Sequence, residues 1–244
     1  MVFNSLTFMA FFALVLALHA MPFGWTTKKV NLLIASYLFY AAWNPPFILL
    51  LWISTVVDWY AAQALVRAEG RHARRAWMLL SVVVNLGMLA YFKYGEFVLQ
   101  SFSAMIATVG IRYAPPQYDI VLPVGISFYT FATLSYTLDV YLRRAKPAQN
   151  FLDYALFVTF FPHLVAGPIM RPTELVPQFA TPRRAPAQQL YFGLALMTLG
   201  LFQKVVLADG FLSDPAEMVF DAKTAPGALD AWMGTLAFSG QIFC

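Results

Sequence analysis

Residues 119–144 read DIVLPVGISFYTFATLSYTLDVYLRR, and residues 156–172 read LFVTFFPHLVAGPIMRP. From Ile120 to Leu142 the only charged residue is Asp139. That run of about 23 residues is long enough, as a helix, to cross a hydrocarbon core of roughly 30 Å. Its polar residues are grouped. Ser127, Thr130, Thr133 and Thr137 fall within one arc of a 3.6-residue helix, and Gly125, Tyr129, Ala132, Tyr136 and Asp139 fall on the adjoining arc. Polar groups in hydrocarbon need partners, so this face is expected to turn toward other helices or a wet cavity. Ordinary hydrogen bonding between helices through small and hydroxyl residues is the simpler reading of each one.

Composition points the same way. Of 244 residues 60% are hydrophobic, 17% aromatic and 11% charged. A soluble domain carries about 25% charged residues. Mean hydropathy is +0.65. The chain is expected to be an all-α, polytopic integral membrane protein embedded in a lipid bilayer. The net charge of +4 does not indicate nucleic acid, because the basic residues sit in short clusters between apolar runs, where membrane topology puts them. Cys244 is the sole cysteine, which excludes an internal disulfide and a cysteine metal cluster. His19, His72 and His163 lack ligand spacing, so no metal site is expected. Walker-type, HExxH and GxSxG signatures are missing.

Taken in order, Leu6–Met21 predicts a first membrane helix, retained rather than cleaved as a signal peptide. Val30–Trp43 predicts a second, stopped by Asn44-Pro45-Pro46. Phe47–Val66 predicts a third, containing Asp58. An ionisable residue in a span is by default a functional candidate. Asp58 also lies within about three turns of the next basic loop, which favours an interfacial position. That loop holds Arg67, Arg71, Arg74 and Arg75 and is read as cytoplasmic, which puts the N-terminus outside. Ala76–Phe92 predicts a fourth helix, and Gly95–Ile111 a further one, interfacial or partly inserted. Phe151–Met170, broken by Pro162, Gly167 and Pro168, predicts a re-entrant or in-plane element returning to the cytoplasmic side. Pro172, Pro177, Pro182 and Pro186 predict an irregular connection. Leu190–Ala208 predicts a helix, and Asp209–Ala228 a polar connection. Leu229–Cys244 begins a new apolar helix of about 16 residues, short of the roughly 20 needed to span. The chain is therefore expected to be the N-terminal part, residues 1–244, of a longer single transmembrane domain.

Leu122–Arg144 and Phe160–Phe179, with Ile53–Tyr60, Asn85–Tyr94 and Gly200–Asp209, resemble the membrane-bound O-acyltransferase family, in its bacterial branch of alginate O-acetyltransferase membrane subunits. The resemblance covers almost the whole chain. It implies a truncated bundle of helices from an enzyme that moves an acyl group from a thioester donor to hydroxyls of a polysaccharide outside the membrane. The donor would be acyl-CoA or an acyl carrier protein, used as substrate and not as a bound cofactor. The family's proposed catalytic histidine lies in a tryptophan-histidine motif, expected downstream of Cys244, so no residue here is assigned a catalytic role. His163 is read as lining or structural. A bacterial inner-membrane location and periplasmic acetyltransferase partner subunits are further implications. Candidate tunnel-lining residues are Ser127, Tyr129, Thr130, Tyr136, His163, Gly167 and Pro168. Arg171, Arg183 and Arg184 are candidates for attracting an anionic donor, although positive-inside topology alone explains each of them. A transporter and a non-catalytic membrane scaffold remain the alternatives. Broken helices suit transport, but no internal repeat is visible.

Overall fold

The structure, a computed structural model, describes residues 3–110, 121–165, 167, 170–182, 185–222 and 225–244. Among them every regular element is a helix: α1 Leu6–Ala20, α2 Trp25–Ala41, a 3-10 turn Pro45–Phe47 leading into α3 Ile48–Arg67, α4 Arg71–Ala107, α5 Ile126–Tyr141, α6 Phe151–Thr159, α7 Phe161–Leu164, α8 Pro172–Ala180, α9 Ala187–Phe202, a π-helical stretch Gln203–Leu212, α10 Ser213–Phe220 and α11 Ala228–Phe243. Among the described residues three helical stretches are long and apolar enough to cross a bilayer: Pro45–Arg67, Arg71–Ala107 and Ala187–Phe220. The chain is an all-α membrane protein. It divides into two compact units, one holding Ala10–Pro182 and the other Arg183–Cys244 with Val2–Met9.

In the first unit α3, α4 and α5 pack against one another, and α6 lies against α2, α3 and α8. Two expectations need correcting here. The separate helix over Gly95–Ile111 does not exist as such, because α4 runs unbroken from Arg71 to Ala107. A lone glycine in a helix costs only about 1 kcal/mol and leaves the hydrogen-bond ladder intact. The helix is then roughly 55 Å long, well over the hydrocarbon thickness. The predicted span from Ile120 is helical only over Ile126–Tyr141. Residues 121–123 are irregular and Gly125, the N-cap residue, sits at φ +76°; Ile120 lies outside the described residues. α5 ends in a Schellman motif: the Arg144 N–H donates to Asp139 O at 2.8 Å and the Arg143 N–H to Val140 O at 3.1 Å. Arg143 takes the left-handed position, at φ +59°, that glycine usually fills.

The proline-rich stretch after Met170 is another correction. It forms α8, because Pro172 sits at the first turn, where a missing N–H costs nothing, and Leu175 and Phe179 bury one face. In the second unit the helix predicted to end at Ala208 continues to Phe220, so Asp209–Phe220 is not a connection. The continuation begins as a π-helix. Lys204 Nζ lies 2.5 Å from Asp209 Oδ1. In an α-helix residues five apart point about 140° away from each other, whereas i→i+5 bonding brings them into line. α10 and α11 pack closely at Gly234, where a Cβ would come within 2.6 Å of the Val219 side chain.

Candidate functional site

The site grows from a helix that stops and restarts. α6 opens at Asn150, whose Oδ1 accepts the Asp153 N–H at 2.8 Å while its Nδ2 donates to Asp153 Oδ2 at 2.7 Å. Asp153 Oδ1 receives Lys29 Nζ of α2 at 2.5 Å, with side chains only 8% and 4% exposed. One ion pair thus fixes the start of α6 on α2. Pro162 cannot donate to the carbonyl four residues back and its ring crowds that carbonyl, so α6 ends at Thr159. The break leaves the Phe161 N–H without a helical partner. It donates to Ser36 Oγ of α2 at 3.2 Å, and Ser36 Oγ donates in turn to Leu32 O at 2.9 Å. Irregular backbone at membrane depth needs such cover. The Phe161 ring packs against Phe11, Phe12 and Phe39.

Two glycines permit the turn. A Cβ on Gly125 would meet Leu164 O at 2.6 Å, so the restarted helix lies directly on the N-terminus of α5. A Cβ on Gly167 would meet His163 Cα at 2.4 Å. Between α5 and this turn lies a small cavity lined by Tyr129, Ala132, Val158, His163, Leu164 and Met170, with about 10 Å³ open to a water-sized sphere. That is room for about one water. His163 Nε2 is buried and has no hydrogen-bond partner among the described residues, while Tyr129 Oη, also buried, faces the Tyr40 hydroxyl. A phenol and an imidazole at one small cavity can both bind an oxygen atom placed there, and the imidazole can also hold a proton.

The predicted site residues separate into groups. Tyr129, His163 and Gly167 come together at the turn. Tyr136 packs deeper, its ring 4.4 Å from that of Tyr154 and its hydroxyl accepting the Ala148 N–H at 3.0 Å. Thr130 is fully buried and its carbonyl accepts from Thr133 Oγ1, while Ser127 is half-buried. Arg171 reaches within 3.7 Å of Asp139, with its side chain 63% exposed. Pro168, Arg183 and Arg184 lie outside the described residues.

Asp58 faces the protein interior. It is fully buried, because α4 covers that face of α3, and its Oδ2 accepts from Asn85 Nδ2 at 2.8 Å. Asn85 is a hub that the sequence reading missed. Its Oδ1 accepts from Ser54 at 2.5 Å and Thr133 at 3.2 Å, and its Nδ2 also reaches Ser81 O at 2.9 Å. One amide thereby links α3, α4 and α5. The spacing of Ser54 and Asp58, four apart on one helix face, was the available signal. Lys29 and Asp153 were missed as well, and Asp153 three residues after Asn150 is a helix-start signature.

Sequence comparisons place these features. The chain is 38% identical, over its whole length, to a Pseudomonas aeruginosa protein named "Probable alginate O-acetylase AlgI", covering 46% of it. It is 37% identical over its whole length to the Azotobacter vinelandii protein of that name, covering 48%. Over 88% of the chain it is 32% identical to a Helicobacter pylori protein named "Peptidoglycan O-acetyltransferase", covering 45%. The chain is thus similar to one part of several bacterial proteins named as O-acetylases or O-acetyltransferases. It spans about half the length of the curated relatives it matches. This agrees with the membrane-bound O-acyltransferase resemblance carried by Leu122–Arg144 and Phe160–Phe179. No family model and no solved structure matches the chain.

Proposed function

We propose that this chain is part of a membrane O-acetyltransferase that esterifies hydroxyls of an extracytoplasmic polysaccharide of the alginate or peptidoglycan kind. The observation that carries the reading is similarity along all or most of the chain to proteins named for that activity on two different polymers. The donor is a thioester, acyl-CoA or an acyl carrier protein. Attack of a sugar hydroxyl on a thioester needs a general base, which is assigned to a residue outside this chain, and donors for the developing oxyanion. The role proposed for Tyr129, His163 and Gly167, with Ser127, Thr130 and Pro168, is to line the passage between donor and acceptor, whereas Tyr136, whose hydroxyl accepts the Ala148 N–H, is committed to the core. Arg171, Arg183 and Arg184 attract the anionic donor. The protein sits in the bacterial inner membrane with its N-terminus outside, working with acetyltransferase subunits on the far side.

The test is the O-acetyl ester content of the cell's extracellular polysaccharide with the full gene deleted and restored. Loss on deletion and recovery on restoration support the reading; unchanged ester content refutes it. Orientation has its own test. A single cysteine placed at Arg183, with Cys244 replaced, should resist an impermeant thiol reagent added outside intact cells, and labelling there would overturn the proposed topology.

A further inference from the structure

The corner where α3 turns into α4 holds a groove of about 340 Å³, walled by Tyr60, Gln63, Ala64, Arg67, Ala68 and Trp77. Its base is fixed, since Gln63 Nε2 donates to Ala148 O at 3.1 Å. The basic residues around it divide by use. Arg74 is spent on structure: its guanidinium donates to Leu65 O at 3.0 Å and Tyr141 O at 2.8 Å. Arg67 is exposed and makes no ion pair among the described residues, and Glu69, the acidic residue of this loop, makes none either. Gly70 caps α4 without a side-chain hydrogen bond, so the first-turn N–H groups of a 37-residue helix point out beside Arg67.

The depth of each residue decides the ligand. Tyr60 lies seven residues before Arg67 and Trp77 six after Arg71, each roughly 10 Å further along its helix axis. Both rings are exposed on helices long enough to cross a bilayer. A cationic rim about 10 Å above an aromatic pair matches the depth profile of a lipid, with phosphate at the surface and glycerol beneath it. A soluble anion would use the rim and leave the aromatic groove unfilled. We infer that this groove binds one anionic phospholipid, its phosphate against Arg67 and the N-terminus of α4 and its glycerol and first acyl carbons between Tyr60 and Trp77.

The experiment is thermal unfolding of the whole purified chain in a neutral detergent, titrated with phosphatidylglycerol, with phosphatidylcholine of the same acyl chains, or with sn-glycerol 3-phosphate. Phosphatidylglycerol should raise the midpoint, and the other two should not. Arg67→Gln should weaken the apparent affinity for phosphatidylglycerol about fivefold, the factor equivalent to roughly 1 kcal/mol for one basic residue near a membrane surface. Trp77→Ala should weaken it too. Arg75→Gln removes the same charge outside the groove and should leave the titration unchanged. An equal loss at Arg75→Gln would make the effect one of diffuse charge. An equal response to phosphatidylcholine would remove the anionic requirement, and a shift with glycerol phosphate would make this a soluble-anion site. Each of those three results overturns the proposal.

Discussion

Lys29 and Asp153 form the contact on which the broken segment is anchored, and replacing them tests that anchoring. Their side chains are 8% and 4% exposed and 2.5 Å apart. Lys29→Met leaves the Asp153 carboxylate buried with only the Asn150 amide at 2.7 Å as side-chain donor. Removing one member of a buried pair costs about 3–5 kcal/mol, because the remaining charge has lost its compensation. At about 2–4 °C per kcal/mol for a chain of this length, the unfolding midpoint should fall by roughly 6–20 °C. Asp153→Leu should cost a similar amount, since it strands the ammonium. The double variant Lys29→Met/Asp153→Leu should recover most of the loss. The N-cap bond survives there, because it joins the Asn150 side chain to the backbone N–H of residue 153, and the exposed Asn150 amide can turn to water. The assay is thermal unfolding of all four proteins in one detergent. The reasoning fails if either single variant loses under about 1 kcal/mol, as a solvated surface pair would, or if the double variant loses the sum of the two.

Three other substitutions test the packing. Gly125→Ala must place a left-handed residue, at about 1–2 kcal/mol, and push its Cβ against Leu164 O at 2.6 Å. It should therefore cost more than about 2 kcal/mol and open the 160–171 turn to proteolysis, and a protease pattern like that of the parent would refute the contact. Asn85→Leu removes the partner shared by Asp58, Ser54 and Thr133. Each unmatched buried group costs about 1–3 kcal/mol, so the variant should fail to survive extraction in detergents that tolerate the parent. Arg143→Gly relieves the φ of +59° at the end of α5 and should stabilise by up to about 1 kcal/mol; a lower midpoint would show that the arginine side chain has a contact worth more than the strain.

The sequence announced the helices better than it announced their joints. Apolar runs and Pro-Gly stops located α1 to α3, and Pro162 with Gly167 located the break, because a proline ring and a missing N–H act locally wherever they occur. Local signals failed where tertiary or non-standard geometry decided. Gly95 looked like a boundary, yet one glycine is too weak to end a helix. Pro172 and Pro177 looked like a loop, but Leu175 and Phe179 gave that segment a face to bury. Asp209–Ala228 looked like a polar connection, yet helix continues through Asp209, and no pattern in the sequence announces a π-helix. The partners of Asp58 were not legible for a related reason. Distance along a helix from a basic loop says how deep a residue lies, not which way it faces, and the covering residue Asn85 is 27 positions away.

The polar face of α5 therefore serves two purposes. Its threonine arc is consumed in part by structure: Thr133 donates toward Asn85 and the backbone of Thr130 and is fully buried. Such a network ties three helices together and leaves no surface for a substrate. On the tyrosine arc, Tyr136 is likewise committed, its ring tilted against Tyr154 and its hydroxyl bonded to the Ala148 N–H. Tyr129 is different. One helical turn from Gly125, it shares a cavity with His163 in a turn that exists because Gly125 and Gly167 let backbone approach backbone. Hydroxyls already bonded within the core cannot rebind without breaking a helix contact, whereas the His163 imidazole, unpartnered beside a cavity, can accept a new partner at little cost. The passage proposed above should accordingly meet this chain at the N-terminal end of α5 and not along its length. Tyr129→Phe and His163→Ala, made in the full protein, should lower acetylation of the polymer more than Tyr136→Phe does, since the Tyr136 hydroxyl is already taken by the Ala148 N–H.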